Sequence, residues 1–306
     1  VLTWAARVVS LGALVVVGWI AVTAFPMLVH GQPTYVVLLL ATVVVAVVGL
    51  AFSWRRRAST PRRRQRLRTV GLVAALVWLV LIGWLAPSVA VQPALAAMSS
   101  GSGVTVTESA SEIVLTPTGP VSHTGLFFQP GAKVDARAYA AVLRPVAEAG
   151  HIVVIPKQPL GIAFLSVDAF ASARAAFPAV TRWVVGGHSL GGTVASMTAD
   201  TYCHSGSEPV VGLLLFASYP ATNVSRSLDC PVLSISASHD GLATPAQIRS
   251  TKALLPATTR YVQIVGAVHA FFADYGTQSG DGHPTVSHDA ARRQISSLAV
   301  GFVDHP

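Results

Sequence analysis

The chain has 306 residues, of which 52% are hydrophobic and only 11% charged, which excludes an ordinary soluble domain, where about a quarter of residues are charged. The formal charge of +8 is concentrated rather than spread: eight arginines lie between Arg55 and Arg68, all 13 acidic residues lie after residue 100, and the part beyond residue 90 holds 12 Lys/Arg against 13 Asp/Glu. A near-neutral C-terminal part excludes a basic nucleic-acid-binding surface there.

Three apolar runs account for the composition. They cover about residues 8–29, 35–54 and 70–90, with no charged residue in any of them. Each is roughly 20 residues, or about 30 Å as a helix, the thickness of a bilayer core. Trp4, Trp54 and Trp84 fall near the ends of the runs, where aromatic rings favour the membrane interface. The loop Arg55–Arg68 between the second and third runs is expected to stay in the cytoplasm, with the N-terminus on the same side and contact to anionic lipids. Everything after about residue 91 is then extracytoplasmic. Residues 1–91 read as a membrane anchor, 92–103 as a linker with a flexible Ser/Gly stretch near Gly101–Gly103, and 104–306 as a separate domain. The sequence Pro93-Ala94-Leu95-Ala96-Ala97 has the small residues of a processing site; the expectation is that the span stays as an anchor.

From Val104 onward, strands and helices alternate. Two short strands are expected over Val104–Thr107 and Glu112–Thr116, then strand Gly125–Gln129, helix Asp135–Ala149 with Asp135 as its N-cap, strand His151–Ile155 and helix Val167–Phe177. Strand Arg182–Gly186, helix Leu190–Cys203 and strands Val210–Ala217 and Val232–Ala237 follow. Helix Pro245–Leu255, strand Arg260–Val265 and helix Ser287–Val303 complete the series. Continuous apolar strands separated by amphipathic helices specify a mostly parallel, doubly wound sheet covered on both faces. In such sheets the working groups sit at the carboxyl ends of the strands.

Three of those strand ends carry chemistry. Val184-Val185-Gly186-Gly187-His188-Ser189-Leu190-Gly191-Gly192 reads as strand, tight turn and helix, with Ser189 at the apex of a Gly-x-Ser-x-Gly elbow. A serine hydroxyl needs a base, a group to hold the base, and donors for an oxyanion. Asp240, in Ser238-His239-Asp240-Gly241, ends the strand Val232–Ala237 and is the candidate acid; Asp274 and Asp281 compete from a later loop. His269 lies just past the last strand and is the candidate base among ten histidines. The oxyanion donors are expected to be the backbone N–H of Leu190 and that of Ala132 in the loop Pro130-Gly131-Ala132-Lys133. A zinc site built from His239, Asp240, His269 and His283 is the weaker alternative, because no metal-binding histidine pair occurs at helical spacing; no metal and no cofactor is expected.

These segments, together with Phe128–Asp135 and Val268–Gly276, resemble the α/β-hydrolase superfamily, and within it the small serine hydrolases of the α/β hydrolase fold-5 type, akin to dienelactone hydrolases. The resemblance implies an eight-stranded, mostly parallel sheet and a triad of Ser189, Asp240 and His269. The oxyanion loop departs from the usual His-Gly-Gly. Only Ser218–Asp229 separates the two strands between which a cap is often inserted, so no large cap and an open site are expected. Leu160, Ile162, Phe164, Tyr219, Phe271 and Phe272 are candidate lining or equally core residues, and Lys133 and Lys157 are candidate contacts for an anionic substrate or solvated loop lysines.

The resulting expectation is a membrane-anchored serine hydrolase that cleaves small-molecule or lipid carboxylic esters through an acyl-enzyme on Ser189. Acyl transfer uses the same residues, and a non-catalytic binding domain is the rival class. Cys203 and Cys230 both lie in the outer domain, where an oxidising compartment permits a disulfide; the sequence leaves a bridge and two buried thiols both open.

Overall fold

A computed structural model describes residues 2–55, 62–101, 103–204 and 209–306; residues 56–61 of the expected arginine loop and residue 102 of the expected linker lie outside them. The chain divides into two units, Val1–Pro87 and Ser88–Pro306.

The first unit is helical: α1 (Leu2–Thr23), α2 (Phe25–His30), α3 (Thr34–Arg55) and α4 (Arg62–Trp84). Three of them are long and apolar enough to cross a membrane: Leu2–Thr23, Thr34–Trp54 and Gln65–Trp84. The first and third differ from the apolar runs. The first helix begins six residues earlier and stops at Thr23, because Pro26 starts the separate short helix α2. The third enters through the Arg62–Arg68 end and stops at Trp84, shortly before Pro87, which disfavours a helical residue ahead of it. α1 packs against both α3 and α4. Polar pins join the helices: Trp78 Nε1 donates to Thr42 Oγ1 at 3.2 Å, and Arg7 Nε donates to Ser53 Oγ at 3.2 Å. The Arg7 guanidinium also lies 4.5 Å from the Trp54 ring and 5.0 Å from Trp4, a cation–π arrangement suited to a charge at a helix end.

The second unit holds helices α5 (Ala94–Ala97), α6 (Ala140–Glu148), α7 (Ala169–Ala176), α8 (Leu190–Tyr202), α9 (Pro245–Ser250) and α10 (His288–Asp304). Its strands are β1 (Val104–Glu108), β2 (Glu112–Pro117), β3 (Thr124–Gln129), β4 (Val153–Pro156), β5 (Arg182–His188), β6 (Val210–Phe216), β7 (Val232–Ala237) and β8 (Arg260–Ile264). They form one sheet in the order β1-β2-β4-β3-β5-β6-β7-β8. β1 and β2, and β2 and β4, pair antiparallel; all other neighbours pair parallel.

Alternate side chains on the strands face two cores. Phe128, Val184, Leu214 and Phe216 pack with residues of α6, α9 and α10 on one face. Phe127, Val185, Leu213 and Leu215 pack with residues of α7 and α8 on the other. Burial on both faces explains why these strands read as unbroken apolar runs, and each fully buried side chain of this size contributes about 1.5–3 kcal/mol. Between β6 and β7 the described residues contain no helix, in line with the absence of a large cap.

The stretch expected as a linker is part of this unit. Ser88 bridges Val134, α5 lies within 94–97, and Arg144 Nη1 on α6 donates to the carbonyls of Ala97 (2.8 Å) and Ser99 (2.9 Å). Its small residues suit close packing against α6 rather than flexibility. Cys203, just after α8, and Cys230, just before β7, form a disulfide with a Cα–Cα distance of 5.9 Å.

Candidate active site

β5 delivers Ser189 to the carboxyl edge of the sheet, between β3 and β6. Ser189 has φ 52° and ψ −124°, a backbone conformation that costs about 1–3 kcal/mol for a residue with a side chain. The cost is met by fixed surroundings. A Cβ on Gly187 would collide with the Gly191 backbone, and one on Gly191 with the carbonyls of Gln129 and Pro130. Ser189 N–H donates to Phe216 O at 3.0 Å, and Ser218 Oγ donates to Ser189 O at 2.6 Å. The turn is therefore gripped by β6 and the chain just beyond it, while the side chain stays partly accessible. Ser189 Oγ has no hydrogen-bond partner among the described residues.

Asp240 and His269 meet. His269 Nδ1 and Asp240 Oδ2 are 2.8 Å apart, with both residues buried. The other carboxylate oxygen, Oδ1, accepts the N–H groups of Leu242 (2.8 Å) and Ala243 (2.7 Å). Asp240 is thus fixed by its own turn and aimed at the imidazole. An acceptor on Nδ1 leaves the proton there and frees Nε2 to act as a base. His188, next to Ser189, lies with its ring centroid 4.5 Å from that of His269, so the elbow and His269 pack directly together.

The competing acids do other work. Asp274 is buried and held by Arg292 Nη1 at 2.8 Å; burial raises its pKa, against the opposing pull of His288 and Arg292. Asp281 accepts only backbone N–H groups. His239 turns Nδ1 to His283 O at 2.8 Å.

The loop after β3 is braced at almost every polar atom. Gly131 N–H donates to Tyr139 Oη (2.8 Å), Lys133 N–H to Gly161 O (2.7 Å), and Gln158 Nε2 to Pro130 O (2.9 Å); Lys133 O accepts Ser88 N–H (2.8 Å). The N–H of Ala132 has no acceptor among the described residues, nor has that of Leu190. Gly131 is spoken for, which leaves Ala132 as the available donor of this loop.

His188 precedes Ser189 in the elbow. It is buried, its Nδ1 lies 2.8 Å from Tyr139 Oη, and Nε2 has no partner among the described residues. Burial, reinforced by nearby His269, holds its pKa well below the usual histidine value. Burial likewise pushes the Tyr139 hydroxyl up. Burial thus favours the neutral form of both partners of this contact. No sequence pattern joins positions 49 apart.

Two of the proposed contacts are corrected. Lys157 is buried and paired with Glu108 at 2.8 Å and with Ser109 O, so it faces no substrate. Phe272 is fully buried and stacks on His188 with centroids 5.8 Å apart, so it belongs to the core beneath the site. Leu160, Ile162, Tyr219 and Phe271 are partly buried and Phe164 is exposed. Lys133 is partly buried, and burial lowers its pKa.

Residues 125–293 match the family described as the alpha/beta hydrolase family. No curated protein matches the chain in sequence. Similar solved structures include a thermophilic esterase from Thermogutta terrifontis with butyrate bound (16% identity, TM-score 0.46, covering 66% of this chain and 94% of that one). A hyperthermophilic esterase from Pyrobaculum calidifontis is similar at 16% identity and TM-score 0.49, covering 69% and 88%. A thermostable esterase from Pseudomonas putida is similar at 15% identity and TM-score 0.48, covering 69% and 86%.

Proposed function

Because the chain belongs to the α/β hydrolase family, on a match over just more than half its length, we propose that it is a membrane-anchored serine hydrolase acting on carboxylic esters. The observation that carries this reading is the buried Asp240–His269 pair, packed through His188 against the strained turn of Ser189. A buried acid holding an imidazole near a partly accessible, sharply turned serine has the parts of an activated nucleophile, each on a different strand end.

The reaction proceeds in two halves. Ser189 Oγ rotates toward His269 and attacks the ester carbonyl carbon, and His269 Nε2 takes the hydroxyl proton. Asp240 stabilises the imidazolium that forms. The carbonyl oxygen, now negative, is held by the N–H groups of Ala132 and Leu190, which have no competing acceptor. Collapse expels the alcohol, which leaves with the proton from His269. A water then attacks the acyl-serine while His269 takes its proton; the bond to Ser189 Oγ breaks, Oγ recovers the proton from His269, and the carboxylic acid leaves. The preceding residues anchor the enzyme by the three apolar helices, with the arginine-rich loop in the cytoplasm and the hydrolase domain outside it. The Cys203–Cys230 disulfide supports that side, since such bonds persist in oxidising compartments. Small-molecule esters and esters of membrane lipids are both within reach of an uncapped site.

Labelling with a fluorophosphonate tests the nucleophile. The folded protein is expected to react and Ser189→Ala is not; an unreactive folded protein overturns the reading. A membrane-impermeant thiol reagent on intact cells tests the topology. A cysteine placed in the loop 55–68 is expected to stay unlabelled, and labelling there reverses the orientation.

A further inference from the structure

Asp281 lies in the loop between the last strand and α10, outside the three proposed catalytic residues. Its carboxylate accepts four backbone N–H groups. Oδ1 takes those of Gly241 (3.1 Å), His269 (3.1 Å) and Gly282 (2.8 Å), and Oδ2 takes that of Ala270 (2.8 Å). Two of these donors are His269 and the residue after it; a third directly follows Asp240. One side chain therefore bridges the turn carrying the acid and the turn carrying the base, which lie on separate strand ends. Further bonds run parallel to it: His239 N–H to Ala267 O (2.9 Å), Gly266 N–H to Ser238 Oγ (2.8 Å) and His239 Nδ1 to His283 O (2.8 Å).

Resting on the catalytic reading above, we propose that Asp281 is a positioning residue, which sets the separation of Asp240 and His269 by holding the main chain of both. The division of labour between the two carboxylates supports this. Asp240 bonds the imidazole ring, and Asp281 bonds the backbone from which that ring projects. One carboxylate with several acceptor sites couples amides of both turns at once, which the pairwise bonds around it do not. Without it, three amides of the two turns lose their acceptor, and His269 is free to shift relative to both Asp240 and Ser189.

The experiment uses the full-length protein in detergent, with p-nitrophenyl acetate as substrate and rates expressed per folded molecule. Asp281→Ala is expected to lower kcat by about 100-fold with KM within about twofold, since misplacement of a catalytic group by 1 Å costs on that order. Asp281→Asn keeps a carbonyl oxygen for Gly241, His269 and Gly282 but turns an NH2 group toward the Ala270 N–H. It is expected to lose only about tenfold, a partial rescue. A lowered melting point with kcat unchanged in both variants overturns the inference, because that is what a merely structural role gives. A second readout does not depend on turnover: the downfield proton resonance of the His269–Asp240 bond, assigned by its loss in His269→Gln. It is expected to shift or vanish in Asp281→Ala, and its persistence unchanged overturns the clamp. If the wild type cleaves no ester, the catalytic reading fails and this resonance alone decides the role of Asp281.

Discussion

The Tyr139 hydroxyl lies 2.8 Å from His188 Nδ1 while accepting the Gly131 N–H at 2.8 Å. One phenol thus ties the proposed oxyanion loop to the residue just before Ser189. Removing it in Tyr139→Phe leaves two buried polar groups, the Gly131 N–H and His188 Nδ1, without that partner. Each such group costs about 1–3 kcal/mol, so the melting temperature is expected to fall. Loss of an oxyanion donor outright costs about 10²–10³ in rate. Tyr139→Phe loosens the loop without deleting the Ala132 N–H, so kcat is expected to fall by about tenfold with little change in KM. A variant that is less stable yet equally fast separates the fold from the site, and would show that the relay serves only packing.

His188 also sets a pH dependence of stability. Its folded pKa lies well below the ordinary 6.5, chiefly through burial. Above pH 6.5 the residue is neutral in both the folded and the unfolded chain. Below 6.5 the unfolded chain takes up a proton that the folded chain refuses. Stability is therefore expected to fall as pH drops from 6.5, by up to about 1.4 kcal/mol per unit, until the folded pKa is reached. Thermal melts of the wild type from pH 7 to pH 5 measure the slope. In His188→Gln, which retains an acceptor for Tyr139 and does not titrate, the slope is expected to be shallower; equal slopes would remove His188 as the cause.

The elbow and the meeting of the candidate acid and base were legible because each is fixed by local signals. Gly187 and Gly191 flank Ser189 at the spacing a strand-to-helix turn requires. Asp240 and His269 stand directly after runs of strand residues, and the sheet brings those ends together whatever the loops do. The residues that brace them were not legible. Asp281 takes one donor 40 residues away and others 11 and 12 away, and Tyr139 and His188 are 49 apart; none of these spacings has a period. Lys157 illustrates the same limit from the other side. At the end of β4 it resembles a substrate contact, but the antiparallel edge of the sheet places Glu108 beside it. Charge pairing across strands depends on register, which hydrophobic alternation alone does not number.

The disulfide closes a separation of 27 residues between Cys203 and Cys230. A loop of that length restrains the unfolded chain by about 3.5 kcal/mol in the chain-entropy treatment. Cys203→Ser with Cys230→Ser is accordingly expected to lower the melting temperature by several degrees, and reductant to produce a similar drop in the wild type and none in the double variant. Both cysteines lie at the far end of α8 and the start of β7, away from the carboxyl edge of the sheet, so kcat at 25 °C is expected to be retained. A large loss of kcat at a temperature where the variant is folded would contradict that separation.

The segment Ser88–Val91 makes the domain boundary functional. Ser88 N–H donates to Lys133 O (2.8 Å), Ser88 O accepts Asp135 N–H (2.9 Å), Ala90 N–H donates to Asp135 Oδ2 (3.2 Å), and Val91 N–H donates to Asp274 O (2.9 Å). The first three hold the loop that presents Ala132, and the last holds the loop that follows His269. Asp135 is itself buried, with Arg137 paired to it at 2.6 Å, so losing Ala90 disturbs an ion pair as well as a backbone. A hydrolase domain begun at Ser88 is expected to fold and to cleave a soluble ester at the rate of the full chain. One begun at Met98, just past the Ala-rich stretch, is expected to lose at least about tenfold in kcat, because the oxyanion loop gives up its outer strand. Adding a synthetic peptide of residues 87–97 to the shorter domain is expected to restore part of that rate. Equal kcat for the two domains would mean that Lys133 and Asp135 hold the loop without the strap.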